Sequence, residues 1–328
     1  MAVGFGQIDS SSYQSVNKPS EILWSETGFI VGVGDQGIRL NLVHTRLETV
    51  ELFGQTFKSG DEVHIAIAPG GNMARGNVYG NRDDTIFEIS KDGATVRNFA
   101  VPSPGVNIAD LTFDIDKYWN WRLIATTYDG SVWAIDKTGS VEHIANLGSG
   151  AVPSGLLVAP ADFGSVSGNI LVTLANENKI MSISNVDHGV TVFHEFMGET
   201  VGMMAHNIVR STLYVSNHDG DNIVKIDQEN TKPYWTQVML ITENEMDGSK
   251  SINFIRSTAL GVEISKLASG IMNPDFAGAV FVSDSDFENS LLVPEEEIPD
   301  MDTNIIVYPV LVIAMIGIVI VIWRYRGF

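Results

Sequence analysis

Asn217, Asp219 and Asp221 alternate in the stretch LYVSNHDGDNIVKID (residues 213–227), the spacing with which a loop presents oxygens to Ca2+. Asp284, Asp286 and Glu288 repeat that spacing further on. Asp, Asn and Gly are also the residues a tight turn needs, because they tolerate left-handed backbone. A helix-flanked calcium loop places Gly sixth and Glu twelfth, where this chain has Asn222 and Gln228. The flanks alternate apolar and polar residues, as strands do. We read the stretch as a turn between two strands. A weak surface site for Ca2+ or another divalent cation, suggested by the acidic pattern recurring in two adjacent blades, is the rival.

Other chemistries are excluded or weak. The chain has no cysteine, so disulfides, thiolate metal sites and cysteine nucleophiles are ruled out. It also has no Asn-x-Ser/Thr sequon, and the two absences fit a prokaryotic protein. His194-Glu195 begins like a zinc-protease motif, but no histidine follows four residues after the first. Met203-Met204 reads as core filling. The formal charge of −20 argues against nucleic acid, which requires a basic face. With 44% hydrophobic residues the 328-residue chain has enough apolar material for a large core.

The elements that must position these residues repeat along the chain. Segments beginning at Gly28, Asn77, Arg122, Asn169, Thr212 and Ala279 each show an alternating strand, a polar turn and a second alternating strand. Equivalent second-strand positions are Ile38, Phe87, Trp133, Met181, Val224 and Leu291, spaced by 49, 46, 48, 43 and 67. A strand-only period of 40 to 50 marks a propeller blade, and the last gap reads as an insertion of about twenty residues. Inner strands are expected at VHIAIAPG, IADLTFDID, SGLLVAPADFG, VGMMAHNIV and ALGVEISKL, and outer strands after the Gly turns. The fold class is therefore all-β, a six-bladed β-propeller of four-stranded antiparallel blades. Phe87, Trp133 and Met181 are expected to be buried between blades.

In a propeller the binding site usually lies where the inner strands begin, at one mouth of the axial channel. Candidates there are Glu62, His64, Asn107, Asp110, Ser154, Glu199 and Ser257. The run PSGLLVAPADFGSVSGNILVTLANENKIMSI (residues 153–183), with the hairpins YDGSVWAIDKTG and NHDGDNIVKID, resembles the NHL-repeat and gluconolactonase-like six-bladed propellers over roughly 28–294. That resemblance implies one divalent metal at the mouth, held by a Glu, an Asn or two and an Asp. Glu62, Asn107 and Glu199 stand where such ligands are expected.

The C-terminal stretch NIIVYPVLVIAMIGIVIVIWRYRGF has 19 uncharged residues at 305–323, which as a helix span about 28 Å, the thickness of a bilayer core. Trp323 is an interfacial aromatic, and Arg324 and Arg326 follow it. The positive-inside rule places these arginines in the cytoplasm and the large domain outside. The N-terminal residues show no basic region followed by an apolar one, so no signal peptide is visible. IPDMD, the span and RYRGF together resemble the anchoring and sorting tails of archaeal and some bacterial surface proteins.

The expected organisation is an N-terminal segment with a ring-closing strand (1–27), the propeller (28–294), an acidic Pro-containing spacer (295–304), a transmembrane helix (305–323) and a basic cytoplasmic tail (324–328). Expected partners are membrane lipid through the helix and a protein or carbohydrate ligand on a propeller face. The functional expectation is a surface binding module. Its rival is a metal-dependent lactonase or esterase using the channel mouth.

Overall fold

The computed structural model describes residues 10–33, 38–45, 49–57, 63–206, 210–271 and 276–292. The spacer, span and tail expected over 295–328, with Trp323, Arg324 and Arg326, lie outside the described residues. Among the described residues no helix is long and apolar enough to cross a membrane.

β1 (Ser10–Ser15) opens the described chain, and the next sixteen strands build four blades in order. Blade one is β2 (Pro19–Trp24), β3 (Gly28–Val33), β4 (Ile38–His44) and β5 (Val50–Phe57). Blade two is β6 (Ile65–Ile67), β7 (Val78–Arg82), β8 (Thr85–Ile89) and β9 (Val96–Ala100). Blade three is β10 (Ile108–Phe113), β11 (Leu123–Thr127), β12 (Ser131–Ile135) and β13 (Val141–Asn146). Blade four is β14 (Pro153–Val158), β15 (Ile170–Leu174), β16 (Lys179–Ile183) and β17 (Val190–Glu195).

The last two blades exchange strands. β18 (Glu199–His206) starts blade five, but β19 (Ser211–Asn217) and β20 (Asn222–Ile226) cross into blade six. After the short helix α1 (Gln228–Thr231), the strands β21 (Val238–Asn244), β22 (Lys250–Thr258) and β23 (Gly261–Ile271) complete blade five in the order β18-β21-β22-β23. β24 (Phe276–Ser283) is then the inner strand of blade six, in the order β24-β19-β20-β1. The N-terminal β1 thus supplies the outermost strand of the last blade, pairing Ser10 with Ile226 and Ser15 with Asn222. Ring closure removes the open sheet edges that such a long antiparallel chain would otherwise expose.

Two parts of the sequence reading change here. The 67-residue gap is not an insertion: it contains the β21–β22 hairpin and β23. ALGVEISKL is the outermost strand of blade five, not an inner strand. The segment from Ala279 is no hairpin either, since β24 runs into the helix α2 (Asp284–Leu292), which places Leu291 on a helix.

One apolar cluster fills each gap between neighbouring blades, six in all among the described residues. The second strands are sandwiched on both faces: β3, β11 and β15 are buried at every position. Phe87 is buried in the gap between blades one and two, while Trp133 and Met181 are half-buried against their clusters.

Candidate functional site at the channel mouth

Five of the six inner strands share a defect at one level. β2 slips register between Pro19 and Ile22, β10 between Ile108 and Asp110, β14 between Pro153 and Gly155, and β18 between Val201 and Met204. β24 slips where Gly278 and Phe276 face Ser216 and Asn217. A bulge takes a residue out of the ladder and re-aims the side chains beside it. The freed backbone groups still need partners, and short polar residues on buried second strands supply some of them. Ser216 Oγ donates to the Ser20 carbonyl of the next blade at 2.6 Å, and Thr173 Oγ1 to the Gly202 carbonyl at 2.8 Å. In blade two, Asn81 Oδ1 accepts the His64 amide at 2.8 Å, one residue before β6 begins.

The bulges of blades one and three and the start of β6 in blade two bring three polar side chains together. His64 Nδ1 lies 3.7 Å from Glu21 Oε2 and 3.7 Å from Asp110 Oδ1, and one ligand atom from each residue falls within 4.8 Å of the others. The side chains are mostly enclosed, with exposures of 21% for Glu21, 11% for His64 and 17% for Asp110. At the same level blades four and six carry Gly155 and Gly278, whose backbones approach the next blade closely. A Cβ on Gly155 would sit 2.7 Å from the Gly202 carbonyl oxygen, and one on Gly278 would sit 2.8 Å from Glu21 Oε1.

A cavity of about 480 Å3 runs down the axis and touches all six inner strands. Its walls are apolar, with Leu23, Ile67, Leu111, Phe113, Leu157 and Val280 among them, and the Glu21–His64–Asp110 cluster faces it. His206 lines it where β18 ends. Burial pushes the His206 imidazole below its ordinary pKa, against the opposing pull of the Asp162 and Asp116 carboxylates.

The sequence candidates divide by position. His64 and Asp110 belong to the cluster, whereas Glu62 lies outside the described residues. Asn107 precedes β10, and its carbonyl accepts the Tyr128 amide at 3.1 Å. Ser154 sits in the β14 bulge and donates to the Val201 carbonyl at 2.8 Å, tying blade four to blade five. Glu199 opens β18, but its carboxylate accepts from Thr242 Oγ1 at 2.7 Å and faces Lys266 Nζ at 3.5 Å. Ser257 belongs to β22, two strands out from the channel in blade five, with Gly164 packed on its backbone. Of the metal set implied by the resemblance, Glu199 is engaged within its own blade. Glu21 was not among the candidates. Its signal was PSEILW, an acidic residue opening an apolar strand, as Asp110 does in IADLTF.

The acidic alternation at 217–221 is the turn between β19 and β20. Asp221 has φ +51°, and its carboxylate accepts the Lys18 amide at 2.9 Å. Asp219 faces the Lys18 ammonium at 3.9 Å, and Gly220 donates to Asn217 Oδ1 at 3.2 Å. Asp284, Asp286 and Glu288 stand at the other end of blade six, since β19 runs antiparallel to β24 with Asn217 beside Phe276 and Ser211 beside Ser283. Asp284 and Asp286 occupy the first turn of α2, where carboxylates complement the helix dipole, and Ser283 Oγ accepts the Asp286 amide at 3.1 Å. The two runs therefore stand at opposite ends of one blade, not in adjacent blades.

No protein-family model matches the chain, and no curated protein does. Solved structures similar to it include virginiamycin B lyase from Staphylococcus aureus, at 12% identity over 79% of this chain and 88% of that one, with a TM-score of 0.46. A protein from Lactobacillus plantarum matches at 12% identity over 81% and 88%, with a TM-score of 0.48. An auxiliary nutrient binding protein from Bacteroides thetaiotaomicron matches at 12% identity over 66% and 60%, with a TM-score of 0.44. The likeness is one of architecture, which the chain's own six sheets already establish.

Proposed function

We propose that this chain is a ligand-binding propeller that takes an amphipathic molecule into its axial channel. The observation that carries this reading is the cavity: about 480 Å3, apolar along its walls, with three polar side chains converging at one place. Binding sites have this composition, since apolar walls supply affinity and a few fixed polar groups supply orientation. The uncharged stretch at 305–323, followed by Arg324 and Arg326, supports display of the propeller outside the cell on a membrane anchor. A carbohydrate or the tip of a protein are the ligand classes in view.

The test is a thermal-shift screen of small metabolites and oligosaccharides against the wild-type chain and Ala277→Trp. Ala277 lines the channel, so the indole fills it. Ligands that stabilise the wild type should lose their effect in the folded variant. Stabilisation that survives the plug places binding elsewhere. The second reading, a metal-dependent hydrolase of lactones or esters, is favoured by the Glu21–His64–Asp110 convergence, because two carboxylates and an imidazole are also metal ligands. Turnover of a lactone and aryl-ester panel that Ala277→Trp abolishes would decide for it.

A further inference from the structure

We propose that Glu21, His64 and Asp110 hold one divalent ion of the zinc class, whose remaining coordination positions face the axial channel and take an oxygen donor of the ligand. The proposal rests on the channel being the binding site and specifies how that site would grip.

Geometry comes first. The three ligand atoms come from three consecutive blades and lie within 4.8 Å of one another, with His64 Nδ1 3.7 Å from a carboxylate oxygen on each side. A zinc ion about 2.0–2.1 Å from its ligands sets neighbouring ligand atoms about 3.3 Å apart. The two His64 sides need to contract by a few tenths of an ångström, and the third side, bounded at 4.8 Å, by up to about 1.5 Å. Its members are carried on backbone bulges and strand starts, and Asp110 Oδ1 also accepts the Leu111 amide at 2.7 Å.

Charge is the second argument. Two largely enclosed carboxylates and a neutral imidazole sum to −2, and a dication brings the site to neutrality. The donor set then selects the ion. Ca2+ asks for six to eight oxygens and Mg2+ for near-octahedral oxygen coordination. An imidazole nitrogen beside two carboxylates suits Zn2+, and its spectroscopic stand-in Co2+. Three protein ligands are also fewer than a closed structural zinc site uses, which leaves a position for an exchangeable ligand.

The set differs from the one implied by resemblance to gluconolactonase-like propellers. That set names Glu62, Asn107 and Glu199, and Glu199 is committed to Thr242 and Lys266. The cluster found here draws only on blades one to three.

The experiment is metal titration of the full chain, purified through chelator, with Co2+ followed by visible absorption and Zn2+ by calorimetry. One ion per chain is expected, with a Co2+ spectrum of low coordination number that Zn2+ bleaches and that Ca2+ and Mg2+ do not. His64→Gln and Asp110→Asn should each weaken binding at least about tenfold while far-UV circular dichroism stays that of the wild type. No saturable binding to the wild type would overturn the proposal without any variant being needed, and so would binding indifferent to His64→Gln. A tight site for Ca2+ that excludes Zn2+ would overturn the choice of ion. The channel reading is tested separately by Ala277→Trp, so ligands that bind the metal-free chain and are lost on plugging would sink the metal and keep the channel.

Discussion

Ser216→Ala is the sharpest test of how the mouth is built. Ser216 is fully buried on β19 in blade six, and its hydroxyl donates to the Ser20 carbonyl at 2.6 Å, across the gap to blade one. Ser20 lies in the β2 bulge, between Pro19 and Ile22, where the β2–β3 ladder skips a pairing. Deleting the hydroxyl removes a net hydrogen bond of about 0.5–1.5 kcal/mol and strands a part-buried carbonyl at a cost of about 1–3 kcal/mol, the two overlapping. The volume change is one oxygen, so the cavity contribution is small, and the expected loss is about 2 kcal/mol. Urea unfolding followed by the fluorescence of the six tryptophans reads it directly. With a slope of about 3 kcal/mol per M for a chain of this size, the midpoint should fall by about 0.7 M at unchanged slope. The same substitution loosens the bulge that carries Glu21, so metal or ligand binding should weaken alongside stability. A midpoint shift below about 0.2 M, or full stability loss with the mouth's affinity untouched, would refute the claim that blade six positions Glu21.

Three further outcomes are expected. Burial pushes the Glu88 carboxyl up, but hydrogen bonds from Asn77, Tyr79 and Arg97 outweigh it and hold the pKa below the usual 4.5. A folded-state value below the unfolded one gives stability that is complete above pH 4.5 and is lost as pH falls through the folded value, so the melting temperature of Glu88→Gln should drop less steeply with acid than that of the wild type. Trp133→Ala should cost about 2–3 kcal/mol, less than the loss at a fully buried tryptophan, because Trp133 is half-buried between blades two and three; a loss under about 1 kcal/mol in denaturant titration would contradict that packing. Protease added to intact host cells should release a soluble propeller cut between residues 295 and 302, and protection until lysis would place the propeller inside the cell.

Strand positions and blade period were legible because a sandwiched sheet leaves its mark within each strand. The hairpins β3–β4, β7–β8, β11–β12 and β15–β16, and the inner strands β6, β10, β14 and β18, all lie where alternation and turn residues put them. The exchange between blades five and six was not legible. A hairpin's residues record that it is a hairpin; which sheet it joins is decided by pairings made far along the chain. β19–β20 and β21–β22 are both alternating strands around a polar turn, so nothing local says that the first belongs to blade six. β23 misled for a similar reason: GVEISKL alternates like an inner strand, yet its place at the outer edge is set by the strand paired before it. The site was half legible. His64 and Asp110 follow from asking what stands where inner strands begin. Glu21 required knowing that PSEILW, ahead of the first aligned hairpin, is itself an inner strand.

Differences among the blades explain why, among the described residues, the Glu21–His64–Asp110 cluster lies on one side of the channel. Six copies of one blade would place six equivalent residues around the axis, and six carboxylates there would repel one another across a few ångströms of poorly hydrated space. This chain carries Glu21, His64 and Asp110 on three consecutive blades and glycine at the matching level of blades four and six. The glycines are dictated by packing: at Gly155 a side chain would strike the Gly202 carbonyl, and at Gly278 it would strike Glu21 and the Ile22 amide. Close approach of blade six to blade one confines the Glu21 carboxylate on its far side, leaving it to face His64. The repeat thus supplies a frame of bulges, and the differences among its copies set a polar cluster on one side of an otherwise largely apolar channel.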